Sequence, residues 1–314
     1  MRFVIALLVG MLAGCASAPG PVTAPLRTAA WMAPEAKLTD LLYASSIGGR
    51  VMVYDYPSGG LVGTFTVATG IGVWGICSDR DGDVFITSQQ SATSSSVYEY
   101  AHGGTTPIAT LHDDGYAAND CSSDPVTGNL AVTNYDFGPS GGSNVAIYTG
   151  ARGKPHHYSD SKLSVAFCGY DEKGNLFVDG RGTYQLAELP KGGSKLEKIG
   201  LNKHLVVPGG VEWDGTHLAI EDGGYVRRFA AIDRFALAKS KAGIVGVTHL
   251  RGQPNRGAAF WLESGNVVSV AGQQDTRVGL WRYPKGGFYT RLFHGQGVRG
   301  DSLYGVTVSK APSQ

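Results

Sequence analysis

A short turn recurs along the chain: YPSGG at 56–60, YAHGG at 100–104, LPKGG at 189–193 and YPKGG at 283–287. Degenerate copies are YTGAR at 148–152 and FAAID at 229–233. Their leading residues, 56, 100, 148, 189, 229 and 283, are 44, 48, 41, 40 and 54 apart. Self-similarity at a period of this length means that one supersecondary unit is used again and again. Alternating segments such as VMVYDY (51–56), SVYEY (96–100) and VGLWRY (278–283) lead into these turns, with the period of two that marks a strand. Between the turns a second pattern recurs: a strand, an acidic or Gly-Asn reversal, and another strand. WGICSDRDGDVFIT (74–87), NDCSSDPVTGNLAVT (119–133), AFCGYDEKGNLFVD (166–179), GGVEWDGTHLAIE (209–221) and AAFWLESGNVVSV (258–270) are its copies. Gly and Asn suit these tips because they tolerate positive φ.

A unit of about 45 residues holding four short strands is a β-propeller blade. The ends of the chain fix the number of blades. LYGVTVS (303–309) reads as an inner strand with no successor, and LLYASS (41–46) as a second strand with no predecessor. Joined, they complete one blade. The expected fold is therefore all-β: a six-bladed propeller over 39–311 with four-stranded blades, closed by one C-terminal plus three N-terminal strands. Such closure leaves no unpaired sheet edge at the seam. Composition agrees. The 314 residues include 46 glycines, about twice the usual share of about 7%, which belongs in turns and excludes long helical bundles. An apolar fraction of 42% excludes disorder, and 27 basic against 26 acidic residues give no field that would recruit nucleic acid.

The N-terminus carries an address. Arg2 precedes the apolar run FVIALLVGML (3–12), which is too short to span a bilayer but suits a signal peptide. Leu12-Ala13-Gly14-Cys15 resembles the bacterial lipobox at every position. That resemblance implies a signal peptide over 1–14, lipidation of Cys15 and a membrane anchor through its acyl chains. Residues 15–38, rich in Ala and Pro, read as the linker between lipid and domain. The expected location is the cell envelope. Ala16 points to the outer membrane in an enterobacterial-type sorting system.

The repeat resembles those of the NHL-repeat and gluconolactonase-like superfamily, whose form is G-I-A-V-D, a Gly-Asn turn, then a strand such as V-Y-V-A-D. The likeness covers 40–309. For the gluconolactonase-like relatives it implies a divalent cation, such as calcium, held in the central channel by Glu, Asn and Asp at the starts of inner strands. The matching positions here are Gly75, Asp120, Phe167, Gly210, Ala258 and Gly305, with Asn119 beside Asp120. Asp120 is the one carboxylate among them, so the expected metal ligands and cofactor are none. The alternative is a divalent-cation-dependent hydrolase or lyase built around Asp120. Asp79-Arg80-Asp81-Gly82-Asp83 has the start of a calcium loop without its later ligands and reads as a hairpin turn.

A ligand could instead meet the loops. By strand order, the loops entering each inner strand share a face with those joining second and third strands. That face is expected to collect His112, Asp113, Asp114, Tyr116, Asn119 and Asp120 from one segment. Asn134 and Asp136, Asp179 and Arg181, and Glu221 and Asp222 join it from the next blades. His156 and His157, adjacent on a strand, point to opposite sides and read as surface residues. Three cysteines remain beside Cys15. Cys77 and Cys121 have opposite parity on neighbouring blades and could pair, but the favoured reading makes Cys77, Cys121 and Cys168 small apolar packers. The function expected is a tethered, non-enzymatic binding or scaffolding propeller. Its partners would be the membrane, through the anchor, and an envelope protein or cell-wall glycan.

Overall fold

The computed structural model of the chain describes residues 29–135, 142–223, 230–252, 259–270, 277–294 and 302–312. Cys15, Asp136 and Ala258 lie outside these residues. Six sheets follow one another around a ring, each with four antiparallel strands at its heart. Blade 1 is the seam. Its inner strand is the C-terminal Leu303–Ser309, and Leu41–Ser46, Arg50–Asp55 and Leu61–Thr66 complete it. Leu41 pairs with Ser309 and Ser46 with Leu303, so the ring closes with one C-terminal and three N-terminal strands.

Alternation within each strand builds the core. Successive side chains point to opposite faces of a sheet, and here both faces meet another blade. Leu41, Tyr43, Val51 and Val53 pack toward blade 2, whereas Leu42, Ala44, Met52 and Tyr54 pack toward blade 6. The same division yields one apolar cluster in each of the six gaps between blades. A buried Leu, Val or Phe contributes about 1.5–3 kcal/mol, so stability is spread around the ring.

Two features depart from the sequence reading. Residues 31–38 belong to the domain: Trp31–Met32 adds a fifth strand beside Leu61–Thr66, and the short helical turn Pro34–Leu38 buries Ala36. Apolar side chains in the Ala/Pro-rich stretch had somewhere to pack. Residues 230–233, expected in a turn, lie in the third strand of blade 5, Ala230–Ala238. The reversal comes at Lys239, which takes a positive φ of 55° without glycine. A long outer strand, Lys241–Arg251, follows and is bordered by the parallel two-residue strands Gly200–Leu201 and Gly287–Phe288.

Candidate functional site

Inner strands of neighbouring blades approach each other closely. A Cβ placed on Gly75 would lie 2.5 Å from Asp120 Cα, and one on Gly305 would lie 2.7 Å from the Trp74 carbonyl oxygen. Neighbouring inner strands therefore touch at two of the positions where the gluconolactonase-like resemblance would put ligands. Above them Tyr304 donates its hydroxyl hydrogen to Asn119 Oδ1 at 3.1 Å and packs edge-on to Trp74. Asn119 Nδ2 in turn donates to the Ala166 carbonyl at 2.7 Å, so this residue clasps three blades. A cavity of about 10 Å³ remains, lined by Asp120, Cys121, Cys168, Glu212, Trp261 and Val306 among others. That is at most the room of one water.

Carboxyl groups do meet there. Burial pushes Asp120 up to about 7, partly offset by the Cys168 and Cys121 N–H groups. Burial also raises Asp179 well above the carboxylate range, against the Phe167 N–H, which donates to Asp179 Oδ1 at 3.2 Å. Glu212 is raised in the same way, with the Asp120 charge adding to the effect. Glu212, two residues beyond Gly210 on the same side of its strand, is the member that a search at one register position misses. Among the described residues, no group of three or more His, Cys, Asp or Glu is placed to hold a metal ion. Beside the channel, Cys77 and Cys121 form a disulfide with Cα atoms 5.7 Å apart, and Cys168 stays free and buried. The reading of three apolar packers is thus corrected for two of them: opposite parity on adjacent blades brings their side chains together.

The expected rim residues divide. His112, Asp114 and Arg181 are exposed and Tyr116 is half-buried. Asp113, Asn119, Asp120, Asn134, Asp179, Glu221 and Asp222 are buried within strands, where alternation turns Asp113 inward between the exposed His112 and Asp114. Asp222 accepts hydrogen bonds from the Val206 and Val207 N–H groups and lies 3.1 Å from Lys203 Nζ, which also contacts Asp233. This enclosed ion group holds a loop against blade 5. In the look-alike calcium loop, Asp79 Oδ1 accepts from the N–H groups of Asp81 and Asp83, which closes a turn.

Four polar residues on the rim converge. His157 Nε2 lies 2.9 and 3.2 Å from the two carboxylate oxygens of Asp113. Asn134 Nδ2 donates to Asp113 Oδ2 at 2.7 Å and to Asn144 Oδ1 at 2.9 Å. Asn144 Nδ2 donates to the Gly142 carbonyl at 3.0 Å. A carboxylate only accepts, so the His157 proton sits on Nε2 in the neutral ring and Nδ1 is left as an acceptor. The Tyr116 ring lies 4.6 Å from the imidazole, centre to centre. Open grooves flank this assembly. One, of about 370 Å³, runs past Tyr116, Asn144 and Asp160, and the other, of about 480 Å³, past His112, Asp114 and Lys154; His157 lines both. Sequence parity rightly separates His156, which is exposed, from His157. It does not reveal the inward contact, because Asp113 comes from the outer strand of the preceding blade.

Comparison with family models finds no match, and comparison with curated proteins finds none. Solved structures do match. One is a protein of unknown function from Bacteroides caccae, with a TM-score of 0.61 and 11% identity over 86% of this chain and 99% of that one. Another is the β-propeller domain of Myceliophteria thermophila Cps50 (Swd1), with a TM-score of 0.55 and 10% identity over 87% of this chain and 88% of that one. The likeness is one of fold. At such identities the likeness shows the propeller and carries nothing about the chemistry of its site.

Proposed function

We propose that this propeller is an envelope lipoprotein, anchored through Cys15, that binds a partner on its loop-rich face and does no chemistry of its own. The support comes from one contrast. The cavity between the inner strands measures about 10 Å³, whereas grooves of about 370 and 480 Å³ flank an oriented polar cluster on the rim. Ligand sites of small molecules occupy about 300–1,000 Å³, and variable loops on a rigid ring are a common place for them. The competing expectation, a divalent-cation-dependent hydrolase or lyase, has in its favour only the carboxyl groups around Asp120. Calcium or zinc that raises the melting temperature would support it by mass action.

Three variants test the proposal in the producing cell. Cys15→Ser should move the protein from the membrane fraction to the soluble fraction. With the anchor intact, cross-linking to envelope material should fall at least tenfold in Tyr116→Ala and stay unchanged in Asp81→Ala, on the opposite face. Cross-linking that follows Asp81 rather than Tyr116 would overturn the assignment of the face.

A further inference from the structure

The groove between Tyr116 and Asp160 has a chemistry that narrows what could occupy it. Its walls carry hydroxyls from Ser143, Ser159, Ser161 and Ser164 and few apolar groups besides Leu163 and the Tyr116 ring. Side chains that both donate and accept, closely spaced, match a ligand with many hydroxyls better than an apolar peptide anchor. Several of these groups are fixed in advance. Ser143 Oγ accepts from the Val165 N–H at 3.0 Å. Asp160 Oδ1 accepts from the Lys162 N–H at 2.8 Å, and its other oxygen accepts from the Tyr184 hydroxyl. His157 is held by Asp113, and Asp113 by Asn134. Groups ordered beforehand lose less entropy on binding.

Charge narrows the choice again. The Tyr184 hydroxyl, then the Lys162 N–H, hold the Asp160 carboxyl below the usual carboxylate range, so it is an anion at neutral pH. Asp113 stands behind His157, and Asp114 lines the second groove. An anionic ligand would meet these carboxylates. The second groove lies on the other side of His157, toward Lys154 and Pro155, so the imidazole borders both.

We propose that the groove between Tyr116 and Asp160 binds a neutral oligosaccharide, with Tyr116 and His157 as its ring wall and the His157–Asp113 pair and Asp160 taking sugar hydroxyls. The inference rests on the reading of the loop-rich face as a binding face. On the neutral ring, His157 Nδ1 accepts a hydroxyl hydrogen. Asp160 retains lone pairs for another, since a carboxylate accepts about four hydrogen bonds.

The test is calorimetric titration of the full chain in detergent with cellotriose, chitotriose and trigalacturonate, repeated on Tyr116→Ala and His157→Gln. The expected result is saturable binding of at least one neutral trisaccharide. Its affinity should fall at least tenfold in each variant, and trigalacturonate should bind at least tenfold more weakly. A melting temperature within a few degrees of the parent establishes that each variant is folded, and Tyr116→Leu, which also removes the aromatic ring, serves as the milder substitution if Tyr116→Ala is not. Absence of binding by both neutral sugars, binding unchanged in folded Tyr116 and His157 variants, or preference for trigalacturonate would each overturn the proposal. If the sugars fail while cross-linking to envelope material still depends on Tyr116, the saccharide inference falls and the binding face stands. If both fail, both readings fall.

Discussion

Asp120 in the channel and Asp113 on the rim are enclosed to a similar degree, 6% and 3% exposed, yet their surroundings differ in kind. Asp120 faces apolar side chains, backbone N–H groups and two further carboxyls, and burial drives it toward the neutral form. Asp113 faces side-chain donors, His157 and Asn134, and His157 reaches partly into solvent. A carboxyl of the first kind is merely housed by the fold. One of the second kind passes its orientation to a side chain that a ligand can touch. Burial alone, then, does not mark a site in this protein; the donors around the buried group do.

One substitution made at both places should break the likeness most sharply. The Asp120 carboxyl is raised from 3.8 to about 7 in the folded chain, so folding takes up a proton between these values. Its contribution to stability is complete below the unfolded value and is lost as pH rises through the folded one. Asp120→Asn removes that loss. Relative to the parent, it should gain nothing near pH 3, gain progressively from about pH 4 to 7, and level off above at no more than about 4 kcal/mol. Urea titrations across this range would detect it, and a variant less stable at pH 8 would contradict the assignment.

The close approach of the inner strands predicts a somewhat smaller effect of opposite sign. Gly75→Ala puts a methyl group against backbone atoms of the next blade, which cannot rotate away. It should cost about 2–3 kcal/mol in the same assay. A neutral outcome would mean that the inner strands have room for ligating side chains after all. The smallest change belongs to the rim. Asp113→Asn keeps the volume but replaces one acceptor oxygen with a donor facing either His157 or Asn134. The expected cost is about 1–2 kcal/mol, in contrast to the gain from the same exchange at Asp120.

The legibility of the two regions differs for the same reason. The propeller could be read because its information is local: alternation along Leu41–Ser46 and Arg50–Asp55 and reversals at fixed intervals specify a blade wherever they occur. Even the seam follows, since it needs only two incomplete repeats that fit. The turn at Lys239 escaped because nothing in its residue type announces a positive φ. The site is another matter. Asp113, Asn134, Asn144 and His157 come from two blades and four strands. What brings them together is the angle between blades, which no residue pattern within a repeat encodes. Parity could say that His157 and His156 diverge. It could not say that an enclosed carboxylate waits on one side.

The short strand Trp31–Met32 has a mechanical consequence. Any load entering from the N-terminal segment reaches the ring at the outermost edge of blade 1, where it first meets the pairs Trp31 with Thr64 and Met32 with Gly63. The pairing that closes the ring, from Leu41 against Ser309 to Ser46 against Leu303, lies at the other side of the same sheet. Between them stand the helical turn with buried Ala36 and the contact of Lys310 with Asp40 at 3.1 Å. A tug on the chain would detach the weak outer pair first and leave the clasp intact, so this edge strand works as a strain relief for the ring.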